Sequence, residues 1–173
     1  MKKIKITLLF GLTLLSKLST ATNDVDRVFT KRDTVWGEVS INLQSNLITI
    51  KKGRNRTSLP ASQVRKVELS NGLSYYSGTF GEDPKYIFFE VLSDGTIPLL
   101  FREGVKFSRY DTEPFPPFFI LRNNSIFSVG DKKALFEFFE EYAKEMKAFV
   151  KNERLSLKTK DDLIRVFEEY NSK

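Results

Sequence analysis

From Val35 onward the hydrophobic positions alternate. Val35, Gly37, Val39, Ile41 and Leu43 fall on one side of an extended chain, and Trp36, Glu38, Ser40 and Asn42 fall on the other. This predicts a strand with one wet face. Ser45-Asn46 turns it into Leu47–Lys51, and Lys52-Gly53 with Asn55 turns that strand into Arg56–Leu59. Pro60–Gln63 reads as one helical turn before Val64–Leu69, and Asn71-Gly72 predicts the next hairpin. Tyr86–Leu92 is apolar at nearly every position, as a strand covered on both faces would be. Further strands are expected over 96–102, 105–110, 118–121 and 126–129, with Asp94-Gly95, Glu103-Gly104 and Asn123-Asn124 at the turns. Pro98 lacks a backbone donor, so its strand should be an edge or carry a bulge.

After residue 130 the period changes from two to 3.6. Leu135, Phe138, Phe139, Tyr142, Met146 and Phe149 form the stripe of a helix capped by Asp131, with Glu140 and Lys144 paired at i,i+4. Thr159 with Asp162 starts a second helix that buries Leu163, Phe167 and Tyr170. The predicted fold class is α+β: an antiparallel β meander or small barrel-like sheet over 34–129, followed by a C-terminal helical pair over 130–173, together one domain.

The first 21 residues have another character. Met1–Lys5 is cationic, Ile6–Leu15 is a ten-residue apolar run too short to span a bilayer, and Ser19-Thr20-Ala21 supplies small residues for cleavage. A signal peptide over 1–21 is expected, then a polar, flexible linker over 22–33. With Lys2, Lys3, Lys5 and Lys17 assigned to the leader, 24 of the 28 basic residues remain against 22 acidic ones. The overall +6 therefore shrinks to about +2, which is no nucleic-acid signature. No integral membrane span is expected after leader removal. The protein should be exported, to the periplasm, the outer surface or the medium of a bacterium. Export without Cys fits a bacterial envelope better than a eukaryotic secreted domain.

The chain has no Cys and no His. That removes disulfides, thiol nucleophiles, Cys or His metal ligands and His-dependent triads. No glycine phosphate loop, Ser-x-x-Lys dyad or calcium loop occurs, so no cofactor, metal or catalytic residue is assigned. Carboxylate-only glycan hydrolysis remains chemically open, with Glu38, Glu68, Glu90, Asp111 and Glu113 near strands and no spacing that singles out a pair. Aromatic residues give the stronger lead. Tyr75, Tyr76, Arg109, Tyr110 and Phe115, the last in a Pro-stiffened segment, are the candidate ligand-binding set for stacking sugars or gripping a peptide. Lys51–Arg56 is the densest basic cluster and has the composition to meet an anionic envelope polymer or to stand as a solvated turn. Residues 131–173 carry ten basic and ten acidic side chains, against a basic membrane-binding helix.

Leu59–Val67, Val91-Leu92-Ser93-Asp94-Gly95-Thr96-Ile97 and Asp162–Asn171, together with the leader, give the chain an order of parts that resembles small exported proteins of Bacteroidota of unknown function. The resemblance implies an envelope location and a β-sheet followed by helices. It transfers no catalytic residue. The expected function is a non-enzymatic binding or interaction module for an envelope protein or surface glycan; the alternative is a carboxylate-dependent glycan hydrolase.

Overall fold

The computed structural model describes residues 25–106, 108 and 110–173, so the expected leader and Arg109 lie outside the described residues. Strands β1 (Arg27–Thr30), β2 (Thr34–Trp36), β3 (Glu38–Asn42), β4 (Leu47–Lys52) and β5 (Asn55–Pro60) come first. A 3-10 turn (Ala61–Gln63) leads to β6 (Val64–Glu68), β7 (Ser74–Phe80), β8 (Asp83–Ser93), β9 (Leu99–Phe101), β10 (Phe118–Arg122) and β11 (Ser125–Ser128). Helices α1 (Lys132–Phe138), α2 (Ala143–Asn152) and α3 (Lys160–Asn171) follow. All strand pairs are antiparallel, in an eight-stranded sheet ordered β11-β10-β9-β8-β7-β6-β1-β2 and a three-stranded sheet ordered β3-β4-β5. The architecture is α+β, but the sheet is open, with β2 and β11 at its edges; the barrel-like alternative is not formed.

The even alternation after Val35 conceals a change of sheet. Gly37 separates β2 in the large sheet from β3 in the small one. Its N–H donates to Asp26 O at 3.3 Å, and a β-carbon there would meet Lys51 O at 2.7 Å, so only glycine lets the chain pass. Asp26 fastens the corner. One carboxylate oxygen accepts the Val39 N–H and the other the Ser70 N–H, each at 2.7 Å. Burial works against ionisation of this carboxyl, but the Ser70 and Val39 backbone donors and the Ser70 side chain together hold its pKa below the usual aspartate value. The expected linker over 22–33 is thereby corrected. Its second half is β1, paired with β2 on one side and β6 on the other, with Val28 fully buried. One apolar side chain and the backbone ladder order a segment whose composition is polar.

Strand β8 is central and covered, with Phe88 and Phe89 both fully buried. Phe88 packs with Val28, Ile48 and Val67 under the small sheet. Phe89 packs with Leu100, Phe119 and Ile126, where β11 curls towards β7 and Ile126 Cδ1 lies 2.7 Å from the place a β-carbon on Gly78 would occupy. A third cluster joins Leu99, Phe118 and Ile120 to Leu135, Phe139, Met146, Leu163 and Phe167 of the helical layer. Strand β9 is internal, and Pro98 immediately precedes it; the ladder to β8 slips between Val91 and Ser93. Of residues 105–110, expected as a strand, the described ones, Val105, Lys106, Ser108 and Tyr110, belong to no strand. There Lys106 Nζ donates to Asp111 O and Thr112 O, and Asp111 accepts the Ser108 N–H, so local bonds replace a ladder.

The helical pair becomes three helices. The stripe expected to be continuous through Phe149 breaks at Glu140, which has a positive φ of 47° and begins a 3-10 turn. The break seats Phe139 in the core, its ring 4.8 Å from that of Tyr170 and 5.5 Å from that of Phe167. Glu140 pairs with Arg122 of β10 rather than with Lys144. At the start of α3 the Asp162 carboxylate accepts from Thr159 Oγ1 at 2.9 Å and Ser156 N at 2.8 Å, close to the box its sequence predicts.

Candidate functional site

The aromatic candidates do not converge. Tyr75 and Tyr76 are neighbours on β7 and therefore point to opposite faces. Tyr75 packs beside Val67 and Phe88, while Tyr76 packs beside Phe89. Burial raises both phenol pKa values, with a smaller push from Glu90 on Tyr75 and from Tyr86 on Tyr76. Phe115 is half-buried and meets Phe80 edge-on at 5.2 Å, which makes it a core residue. Tyr110 is 77% exposed on its loop. The expected aromatic groove is thus not assembled from the described members of that set.

The structure instead brings two basic segments together. At the β1–β2 turn, Thr30 Oγ1 accepts the N–H groups of Arg32 at 3.1 Å and Asp33 at 3.0 Å, and the Thr30 N–H donates to Asp33 O at 2.8 Å. Arg65 Nε donates to Thr30 O at 2.9 Å, and the Lys31 N–H donates to Gln63 O at 3.2 Å, so the turn is held from β6 and the 3-10 turn. Opposite it stands the β4–β5 hairpin, closed by Gly53 at a φ of 62° with Lys52 across from Asn55. Between them lies a cleft of about 700 Å³ floored by Val35, Ile50 and Leu59.

Lys31, Arg32 and Lys52 line this cleft, with Asp33 as its carboxylate. Asp33 Oδ1 is engaged by the Thr30 hydroxyl at 2.5 Å. Among the described residues none of the three cations forms a salt bridge; Lys31 Nζ sits 4.8 Å from the Tyr86 ring centre. Cations without a carboxylate partner around a concave, apolar-floored site can pair with an incoming anion. The Lys51–Arg56 cluster supplied half of the site in the sequence. Lys31 and Arg32 were hidden in the segment read as a linker, where the Thr30-x-x-Asp33 turn was the available signal.

Four of the five candidate carboxylates, Glu38, Glu68, Glu90 and Asp111, are engaged elsewhere. Glu38 pairs with Lys51 at 2.8 Å and Glu90 with Lys160 at 3.0 Å. In a second cleft beside Ser70–Ser74, Arg27, Glu68, Lys66 and Asp94 form a chain with successive separations of 2.6, 3.2 and 2.7 Å. The Lys66 hydrogen bond holds Asp94 below the usual aspartate pKa. Burial opposes the charge on Lys66, but Asp94 and Glu68 raise its pKa overall. Among the described residues no group of three or more His, Cys, Asp or Glu is placed to hold a metal ion, and no helix is long and apolar enough to cross a membrane.

Compared with known proteins, the chain matches no family model, no curated protein and no solved structure.

Proposed function

We propose that the protein is an exported, non-enzymatic binding module of the cell envelope, taking a surface glycan or an envelope protein through acidic groups. The observation that carries this reading is the cleft where Lys31, Arg32 and Lys52 converge without salt bridges among the described residues. The cleft's depth and polar walls, which include Asn55, Thr57, Ser62 and Gln63, suit a hydroxyl-rich ligand bearing negative charge. An acidic glycan is therefore the favoured ligand. The chain's lack of His and Cys points the same way, because it leaves few routes to catalysis.

The hydrolase alternative needs one carboxyl with a raised pKa to act as acid, opposite a second that stays ionised. Glu68 and Asp94 share a cleft, but Lys66 bridges them and Asp94 is held down, the reverse of what a general acid requires. The binding reading is tested on a glycan array with matched acidic and neutral chains, alongside cross-linking and pull-down from envelope extracts. Selective retention of acidic chains, reduced by Lys31→Gln/Arg32→Gln/Lys52→Gln, is expected. Absence of binding to glycan and protein alike, or release of reducing ends from a bound chain, would overturn it.

A further inference from the structure

Charges that cancel along residues 131–173 do not cancel in space. Lys132 and Lys133 from the first turn of α1, Lys147 and Lys151 from α2, and Arg154 just beyond α2 line one groove of about 770 Å³. Three acids of the same stretch are paired elsewhere: Glu140 with Arg122, Glu145 with Lys173 and Glu153 with Arg165. Asp131 is the groove's carboxylate, and it accepts the Lys133 N–H at 3.0 Å as the helix cap. Among the described residues none of the five cations forms a salt bridge.

The free protein holds this arrangement against its own electrostatics. Lys147 and Lys151 repel at i,i+4, and two lysines in the first turn of α1 oppose the helix dipole. Arg154 occupies a left-handed position, φ 55°, at the end of α2, where the Leu155 N–H closes on Val150 O at 3.0 Å; glycine is the residue that fits there without strain. A bound anion would relieve the repulsion among these like charges.

We propose that this groove binds the phosphate groups of a phosphorylated glycan chain. Four of the five cations are lysines, which bind phosphate oxygens as point charges approached from several sides, and the fifth, Arg154, carries a guanidinium able to fork onto two of them. The apolar floor is closed, with Phe136 and Val150 buried and Lys147 Nζ 5.5 Å from the Phe136 ring centre. No exposed large hydrophobic residue on these helices is available to enter a bilayer, so a chain lying in the groove is favoured over a lipid surface. The groove shares no residue with the cleft between the sheets, and the choice of a glycan as carrier of the phosphates rests on the proposed function.

The test measures binding of the purified protein to phosphomannan, dephosphorylated mannan, polygalacturonate and phosphatidylglycerol vesicles. Phosphomannan should bind, more weakly as salt rises, and Lys147→Gln/Lys151→Gln should lose at least about tenfold in affinity, roughly one decade per 1.4 kcal/mol. The groove is read in the inter-sheet variant Lys31→Gln/Arg32→Gln/Lys52→Gln: phosphomannan binding that persists there and falls when Lys147→Gln/Lys151→Gln is added belongs to the groove, which separates failure here from failure of the proposed function. Arg154→Gly should raise Tm while weakening binding, and it retains the fold even where the double variant does not. No phosphomannan binding, undiminished binding by the groove variants, equal binding of polygalacturonate by the inter-sheet variant, or preference for vesicles would each overturn the proposal.

Discussion

The carboxamide of Asn171, in the last turn of α3, lies so close to Gly95 that a β-carbon on Gly95 would sit 2.5 Å from Asn171 Cγ. Asn171 Oδ1 accepts the Ile97 N–H at 3.1 Å, and Nδ2 donates to Asp94 O at 3.2 Å. One side chain thus replaces the ladder that the β8–β9 loop lacks, and it ties the chain's final helix to the centre of the sheet. Asn171→Ala should destabilise the fold by about 1 to 3 kcal/mol, the cost of stranding such groups. Gly95→Ala should cost at least as much, because its φ of 144° is also unfavourable for alanine. Chemical denaturation of the double variant should show less than the sum of the two losses, since Asn171→Ala removes the Cγ and Nδ2 contacts and leaves only the Asn171 Cβ, 2.8 Å away.

Asp26 makes stability depend on acid. Its folded pKa lies below the unfolded value of about 3.9, so its contribution is complete above that pH and is lost as pH falls through the folded pKa. Asp26→Asn, which keeps the shape but offers only one acceptor to two N–H donors, should cost about 1 to 2 kcal/mol at neutral pH. Urea melts at stepped pH should show parent and variant converging below about pH 3.

Phe139 has no exposed surface and touches the rings of Phe136, Phe167 and Tyr170. Phe139→Ala should cost about 3 to 5 kcal/mol. Phe127, 40% exposed and stacked only on the flank of Phe138, should cost below about 1 kcal/mol on the same change. Thermal melts of the two variants would show whether the break at Glu140 exists to seat Phe139.

Gly78 is passed closely by Ile126 where β11 curls towards β7. Gly78→Ala should destabilise by about 1 to 3 kcal/mol through overpacking. Ile126→Ala in the same chain should recover part of that loss, measured as a coupling in a double-mutant cycle.

Much of the fold could be read along the chain because it rests on local pattern. The β3–β4–β5 hairpins, the covered strand over Phe88 and Phe89, the Asp131 cap and the Thr159–Asp162 start each depend on residues a few positions apart. Where the reading failed, a distant partner had decided. Gly37 looks like one more position in an alternating strand until Lys51 O fixes it as the crossing between sheets. Residues 27–30 look like a linker until β6 pairs with them. The candidate site divided in the same way: Lys52 belonged to a visible basic run, whereas Tyr75 and Tyr76 had the right chemistry and opposite faces.

By itself the sequence determined composition and period: an α+β chain with strands before helices, nearly balanced in charge beyond residue 21, and without the side chains for thiol or imidazole chemistry. Tertiary structure alone decided which charges stand together. Periodicity says which face of an element is wet, but not which wet faces become neighbours. Only packing gathered Lys31 and Arg32 with Lys52, and Lys132 and Lys133 with Lys147, Lys151 and Arg154, while Glu140, Glu145 and Glu153 were turned to other partners.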